Sequence, residues 1–215
     1  MKDDFFENDP QDELDELDEF SVDWLWVNSE DIKRMEKEYW ETLESANREE
    51  NIQQFLKEHP YLLIRWLSGG HGRWVIPKPK FGDRYVPDFI VAHKDSIGYH
   101  WTLVELESPI YRIFTKSGDY TKETNHAIRQ VFDWREWLKQ NLEYAQKPAN
   151  KGGLGLDGIS PNSKALILIG RRDKDKNPNL RAQSLEQNIE IHSYEWLLSN
   201  PTIWPKTTKN PDKKK

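Results

Sequence analysis

The sequence predicts a mixed α/β fold in which a central sheet is covered by helices on both faces. Three observations lead to this prediction. Apolar residues recur at helical spacing near the start of the chain and again in its middle, three strand-like segments follow one another between those helices, and two short apolar runs follow the central helix. At 215 residues, the chain is long enough for one globular domain with appendages.

The composition supports a folded core and limits the possible sites. Hydrophobic residues make up 36% of the chain and include 10 Trp, 8 Tyr and 8 Phe. The absence of cysteine excludes disulfides, thiolate zinc sites and a cysteine nucleophile, so a metal would need carboxylate, His or carbonyl ligands. No apolar stretch is long enough to span a membrane, and the acidic start does not resemble a signal peptide. We therefore expect a soluble, cytoplasmic protein with no membrane partner.

Charge divides the chain into three parts. Residues 1–23 hold 11 Asp and Glu against one Lys, and residues 206–215 hold five Lys and one Asp, while the body between them is neutral. We expect an acidic, flexible segment over 1–28 and a basic, disordered tail over 206–215, because blocks of like charge usually remain solvated. The alternative is that the acidic end competes with a polyanion.

Four helices are expected along the chain, the last of them a short amphipathic helix over 194–198. Ser29 is a suitable helix start, and apolar residues at helical spacing predict a first helix over 29–45. A second helix should end at His59-Pro60, because the residue before proline avoids the helical conformation. A third begins near Thr121 or Thr124 and carries one apolar stripe, formed by Ala127, Val131, Trp134, Leu138 and Leu142.

Five strands are expected around the central helix. The first three are Trp74–Ile76, Tyr85–Ala92 and Trp101–Leu106, and the later two are Ala165–Ile169 and Ile189–His192. A short amphipathic piece over 194–198 follows the last strand.

The third strand ends in two acids on one face. Strand alternation places Trp101, Leu103, Glu105 and Glu107 on the same side of the sheet. A hairpin centred between residues 96 and 97 would place Asp88 opposite Glu105, where like charges destabilise a sheet. Such a cluster needs a shared proton or a cation, and Mg²⁺ or Mn²⁺ suits oxygen ligands. The alternative is that these acids face solvent at the end of an edge strand.

Four motifs in this order resemble the Shedu-type nuclease domain of the PD-(D/E)xK superfamily, which acts in bacterial defence against phage. They are GDRYVPDFI at 82–90, WTLVELESP at 101–109, AIRQVFDW at 127–134 and LILIGRR at 166–172. The resemblance covers approximately residues 46–198. It implies a restriction-endonuclease-like core, a central mixed sheet flanked by helices, within a nuclease domain spanning 46–205.

The resemblance also implies a function and roles for the acids. It implies a Mg²⁺- or Mn²⁺-dependent DNA endonuclease that hydrolyses phosphodiester bonds, acts on double-stranded phage DNA and forms a homo-oligomer, either a dimer or a tetramer. Asp88 and Glu105 would bind the metal and the Leu106 carbonyl would complete the shell. The family usually has lysine where this chain has Glu107. Glu107 would bind a second ion or act as general base.

Further residues are candidates on more limited grounds. Glu49 borders the buried face of the second helix and could reach the metal, although an acid held by a nearby arginine is the alternative. Gln130 lies on the stripe of the long helix and is either a site residue or a core amide. Lys116 is a candidate for the missing cation and for a DNA contact. A basic run after the fourth strand is a candidate for phosphate contacts; it comprises Arg171, Arg172 and Lys174.

Two other functional classes compete with the nuclease. One is a catalytically silent relative that keeps the fold as a DNA-binding or oligomeric sensing module, for which the glutamate at 107 would be the signature. The other is a different metal hydrolase or a glycosidase with paired carboxylates. We also expect that replacing Asp88 or Glu105 by alanine relieves repulsion without lowering stability.

Overall fold

The computed structural model describes residues 17–22, 29–68, 71–172 and 177–199. The helices are α1 (Ser29–Ser45), α2 (Glu49–Glu58), α3 (Tyr61–Ile64), α4 (Lys122–Gln140), α5 (Leu142–Gln146) and α6 (Pro178–Glu186). The strands are β1 (Arg73–Pro77), β2 (Phe89–Lys94), β3 (Tyr99–Leu106), β4 (Lys164–Leu168) and β5 (Ile189–His192). A short 3₁₀ turn spans Tyr194–Leu198.

The five strands form one mixed sheet in the order β1-β2-β3-β4-β5. The first three are antiparallel neighbours, as their short connections require, whereas β4 lies parallel to β3 and β5 parallel to β4. The parallel pairing of β3 and β4 requires a crossover, and α4 and α5 provide it. β3 is therefore the central strand, and its carboxyl end lies beside that of β4.

Helices cover both faces of the sheet, as predicted. On one face α1, α2 and α3 pack against Val91, Val104 and Leu166. On the other face α4 packs against Ile90, Leu103 and the other residues of these strands that point to that side of the sheet. Adjacent residues in a strand point to opposite faces, so each strand contributes to both cores. The mixed five-stranded sheet flanked by helices is confirmed.

The predicted helix over 29–45 coincides with α1, and α2 ends at Glu58 with His59 as its C-cap, just before Pro60 as expected. Four features differ from the sequence prediction, and two of them are the short helices α3 and α5, which were not expected. The second strand begins only at Phe89, because Phe81 and Tyr85 pair with each other in a separate tight turn. Helix α6 was missed, although Asn177 followed by Pro178 is typical of a helix start and the Asn177 side chain does cap it.

Six residues of the predicted N-terminal segment, 17–22, contact the sheet. Ser21 forms a bridge with Trp74, and the Val22 N–H donates to the Arg73 carbonyl at 2.9 Å. Residues 1–16, 23–28 and 206–215 lie outside the described part of the chain. None of the described helices is both long and apolar enough to cross a membrane.

Candidate active site

The pairing of β2 with β3 brings Asp88 beside the end of β3. Phe89 pairs with Val104, and the turn between the strands is centred between residues 96 and 97. The predicted register is therefore confirmed. Asp88 is one residue before this ladder, and its Oδ2 accepts the Leu106 N–H at 2.7 Å. The acid that precedes β2 thus holds the last residue of β3.

Asp88 is buried and its two oxygens are both engaged. It is 4% exposed. Its Oδ1 accepts hydrogen bonds from the Gln53 amide of α2 and from the ammonium of Lys78, with 2.5 Å between Lys78 Nζ and Oδ1. These donors satisfy a buried carboxylate that would otherwise carry a large desolvation cost.

Leu103 faces α4, so alternation within β3 places Glu105 on the same side. Glu107 follows the end of the strand, and both acids are buried. Burial raises the pKa of Glu105 well above its usual range, and the charges of Asp88 and Glu107 raise it further. Burial, together with the charges of Glu49 and Asp88, raises the pKa of Glu107 to about 7. At neutral pH these carboxyl groups therefore hold protons more readily than solvated acids do.

Two helices bring further acids to the same place. Glu49, in the first turn of α2, is half-buried while Glu50 is exposed, as predicted. Burial raises the pKa of Glu49, and the charge of Asp88 adds to the effect. Glu123, in the first turn of α4, contributes to the raised pKa of Glu107. We call Glu49, Asp88, Glu105 and Glu107 the acidic cluster.

Lys78 is the cation that sequence reasoning missed. It follows β1 directly, and its N–H donates to the Asp88 carbonyl at 2.9 Å. Its positive charge opposes the rise in the pKa of Glu49 and of Glu105, although both values stay raised. The signal was present in the order of the strands: extending the β1–β2 pairing by one position past Pro77 places Lys78 beside Asp88.

The donor set of the acidic cluster fits a hard divalent cation, because Mg²⁺ and Mn²⁺ prefer carboxylate and carbonyl oxygens. Within the described ranges, however, no group of three or more His, Cys, Asp and Glu side chains is arranged to hold a metal ion. The Lys78 ammonium contacts Asp88 where an ion would be expected. The oxygen donors of these residues therefore suit a divalent metal ion. In this structure, however, the ammonium of Lys78 is bound to the Asp88 oxygen that such an ion would need.

Two further predicted site residues, Gln130 and Lys116, lie in different surroundings. Gln130 is half-buried beside the apolar stripe of α4, two helical turns beyond Glu123 and on the same side of the helix. Lys116 is exposed in a turn closed by the Thr115 N–H and the Asp119 carbonyl. Lys78, rather than Lys116, is the lysine that contacts the acidic cluster.

The basic run after β4 separates into residues with different surroundings. Arg171 forms ion pairs with Glu195 (2.7 Å, Nε to Oε1) and Glu44 (2.6 Å, Nη2 to Oε1), and it lies over the Trp40 ring. Through these contacts Arg171 connects α1 with the 3₁₀ turn over Tyr194–Leu198. The Arg172 side chain is exposed. Lys174 lies outside the described residues.

A surface groove of about 330 Å³ adjoins the carboxyl ends of β3 and β4. One side is formed by the end of α1 and the loop after it, and the other by the loop after Glu107. Two exposed arginines, Arg112 and Arg172, line it. The rest of the lining comprises Leu43, Glu44, Ala46, Asn47, Pro109, Ile110, Tyr111 and Arg171.

Comparison with known families decides what this arrangement is related to. Residues 46–198, which include the whole sheet, match the family described as Shedu protein SduA, C-terminal. The chain belongs to this Shedu family. The match begins just before α2 and ends with the 3₁₀ turn after β5, so every residue of the acidic cluster lies within the Shedu region.

Among solved structures, the chain is similar to SfsA of Pyrococcus furiosus in complex with Ca²⁺, at 16% identity and a TM-score of 0.29. The similarity covers 76% of this chain and 57% of that protein, so the chain spans little more than half of its length. The comparison with curated proteins found no match.

Proposed function

We propose that this Shedu-family chain is a metal-dependent DNA endonuclease that cleaves phage DNA. The observation that carries the proposal is the buried placement of Asp88 beside the end of β3, where burial and the charge of Asp88 raise the pKa of both Glu105 and Glu107. A fold does not retain several mutually repelling carboxyl groups in one buried place for stability, so a ligand or a reaction is the better explanation.

The residues suited to a divalent ion are Asp88, Glu105 and the carbonyl of Leu106, with Glu49 at the border. A Mg²⁺ or Mn²⁺ ion bound there would supply Lewis-acid polarisation of a phosphate and lower the pKa of water. Asp88 is suited to the central position because the Leu106 N–H already orients one of its oxygens. Gln53 steadies the other oxygen through its amide.

Glu107 is the proposed proton acceptor. Its pKa of about 7 lets the ionised form exist at neutral pH while keeping it basic enough to take a proton from water. The water oxygen would form a bond to phosphorus while the leaving sugar oxygen departs with the electron pair of the broken bond. The carboxylate of Glu107 would receive the proton of the water, and the leaving oxygen would take a proton from solvent. Binding of a second ion by Glu107 is the alternative role. Gln130 is a proposed contact to the substrate from α4.

The groove beside the site is the proposed path of the DNA backbone. Arg112 and Arg172 place positive charge on an exposed surface next to the loop that follows Glu107, and phosphate contacts by such side chains account for most non-specific DNA affinity. Lys116 and Lys174 remain proposed phosphate contacts, and Arg171 is proposed to position this surface. We further propose double-stranded DNA as substrate and a homo-oligomer as the working form.

A silent DNA-binding module is the second candidate, and one observation favours it. The ammonium of Lys78 forms an ion pair with Asp88 of the acidic cluster, where a metal ion would bind. In addition, Glu107 occupies the position where the related motif has lysine. Such a protein would bind DNA through the same groove and leave it intact.

Cleavage of supercoiled plasmid by the purified chain, with Mg²⁺ or Mn²⁺ against EDTA, tests the proposal. Asp88→Asn and Glu105→Gln should each lower the rate at least about 100-fold. Asp133→Asn, which removes an exposed acid from α4, is the matched control and should cleave like the parent. DNA binding without cleavage by the parent would support the silent module instead.

A further inference from the structure

Lys78 and Asp88 form an unequal ion pair. The side chain of Lys78 is 51% exposed, whereas that of Asp88 is 6% exposed. Asp88 is also held from two other sides, by the Leu106 N–H on Oδ2 and by Gln53 on Oδ1. The ammonium can therefore move into solvent while the carboxylate remains in place.

The backbone at Lys78 is also unusual. Its φ of +48° lies in the left-handed region, which non-glycine residues rarely adopt. A glycine or asparagine would be accommodated there at a lower conformational cost. The backbone conformation therefore does not explain the presence of lysine, and the contact of its ammonium with the acidic cluster does.

The ion pair between Lys78 and Asp88 also affects the other acids of the acidic cluster. Lys78 lowers the pKa of Glu49 and Glu105, so it offsets part of the repulsion among the acids. A divalent ion entering the cluster would meet this ammonium at a direct distance of 2.5 Å from the oxygen it needs. Two cations cannot share that oxygen without strong repulsion.

We propose that Lys78 is a resident cation that a divalent ion must displace from Asp88 Oδ1, so that Lys78 sets the metal affinity of the site. The inference rests on the proposed function, since it concerns the same cluster. In the metal-free protein the ammonium occupies the oxygen and holds the cluster together. On metal binding it moves toward solvent, where half of its side chain already lies.

Metal titration of four proteins tests this, with Mn²⁺ binding followed by calorimetry or by electron paramagnetic resonance of the free ion. Lys78→Met should bind Mn²⁺ about tenfold more tightly than the parent. Lys78→Arg retains the charge and should bind as weakly as the parent. Lys80→Met removes an exposed lysine two residues away and should also match the parent.

The outcomes separate this inference from the proposed function. Tighter binding by Lys78→Met alone supports it, including the case in which only that variant binds measurably. Equal or weaker binding by Lys78→Met, with a parent that binds Mn²⁺ and cleaves DNA, overturns the inference and leaves the nuclease proposal intact. An absence of binding and of metal-dependent cleavage in all four proteins overturns both.

A second measurement uses the unmodified chain and does not depend on the folding of a variant. Lysine acetylation by a water-soluble reagent, quantified by mass spectrometry, reports how free each ammonium is. Saturating Mn²⁺ should increase the acetylation rate of Lys78 severalfold and leave that of Lys80 unchanged. A rate at Lys78 that stays constant or falls under saturating Mn²⁺ contradicts displacement.

Discussion

The carboxylate of Asp88 accepts the N–H of Leu106 at 2.7 Å, so an acid placed before β2 supports the last residue of β3. This hydrogen bond distinguishes Asp88 from Glu105, whose buried carboxyl group mainly meets other acids. We therefore expect the two neighbouring residues to have opposite effects on the stability of the metal-free fold.

Asp88→Ala should lower the stability of the metal-free protein and Glu105→Gln should raise it. The alanine leaves the buried Leu106 N–H without an acceptor, which costs about 1–3 kcal/mol. The glutamine removes a charge that burial and the charges of Asp88 and Glu107 disfavour. Thermal unfolding in EDTA measures both, with Asp133→Asn as control. Stabilisation by both substitutions would show that repulsion alone governs the cluster, as the sequence had led us to expect, and destabilisation by both would contradict the expected effect of Glu105→Gln.

Glu107→Lys should reduce Mg²⁺-dependent cleavage by about tenfold or more, because the new ammonium cannot accept a proton and its positive charge opposes a metal cation at the acidic cluster. Plasmid cleavage under matched metal concentrations is the measurement. Glu107→Gln serves as the neutral comparison. A lysine variant that cuts faster than the parent would mean that the natural chain is silenced, and would favour the binding module.

Arg172→Ala should affect DNA binding, whereas Arg171→Ala should affect the stability of the fold. Loss of Arg172 should reduce the slope of log DNA affinity against log salt by about one, as expected for one phosphate contact. Loss of Arg171 should lower the unfolding temperature, because Glu44 and Glu195 lose their shared partner. Fluorescence anisotropy in EDTA and thermal unfolding provide the two readouts. A salt slope changed only by Arg171→Ala would reverse the roles.

Glu107→Gln should stabilise the metal-free protein more at pH 7.5 than at pH 5, by a few degrees in unfolding temperature. The pKa of Glu107 rises from 4.5 to about 7 on folding, so between these values the folded chain holds a proton that the unfolded chain has lost. Stability from this group is therefore lost as pH rises through that window. Glutamine has no such loss.

The comparison at two pH values is made as a difference between variant and parent. Half-buried His93, whose pKa is lowered to about 4 by burial and by the charge of His100, titrates in an overlapping range and acts in the opposite direction. Because His93 is present in both proteins, subtraction removes its contribution. An equal benefit of Glu107→Gln at both pH values would contradict the raised pKa.

Local patterns in the sequence determined the elements and one side of the site. The spacing after Ser29 predicted α1, and the alternation after Trp101 predicted which face carries Glu105 and Glu107. The hairpin register followed as well, because a short turn allows few ways of pairing two strands. These features depend on residues a few positions apart, for which chain geometry alone is decisive.

Only the tertiary structure decided which charges meet. Lys78 approaches Asp88 through the β1–β2 pairing, and Arg171 pairs with Glu44, 127 residues earlier in the chain. A run such as Arg171 and Arg172 reads as one basic patch in sequence, yet packing assigns one arginine to internal ion pairs and the other to the surface. The physical reason is that electrostatic interactions act through space at a few ångströms, and the sequence orders residues along the chain.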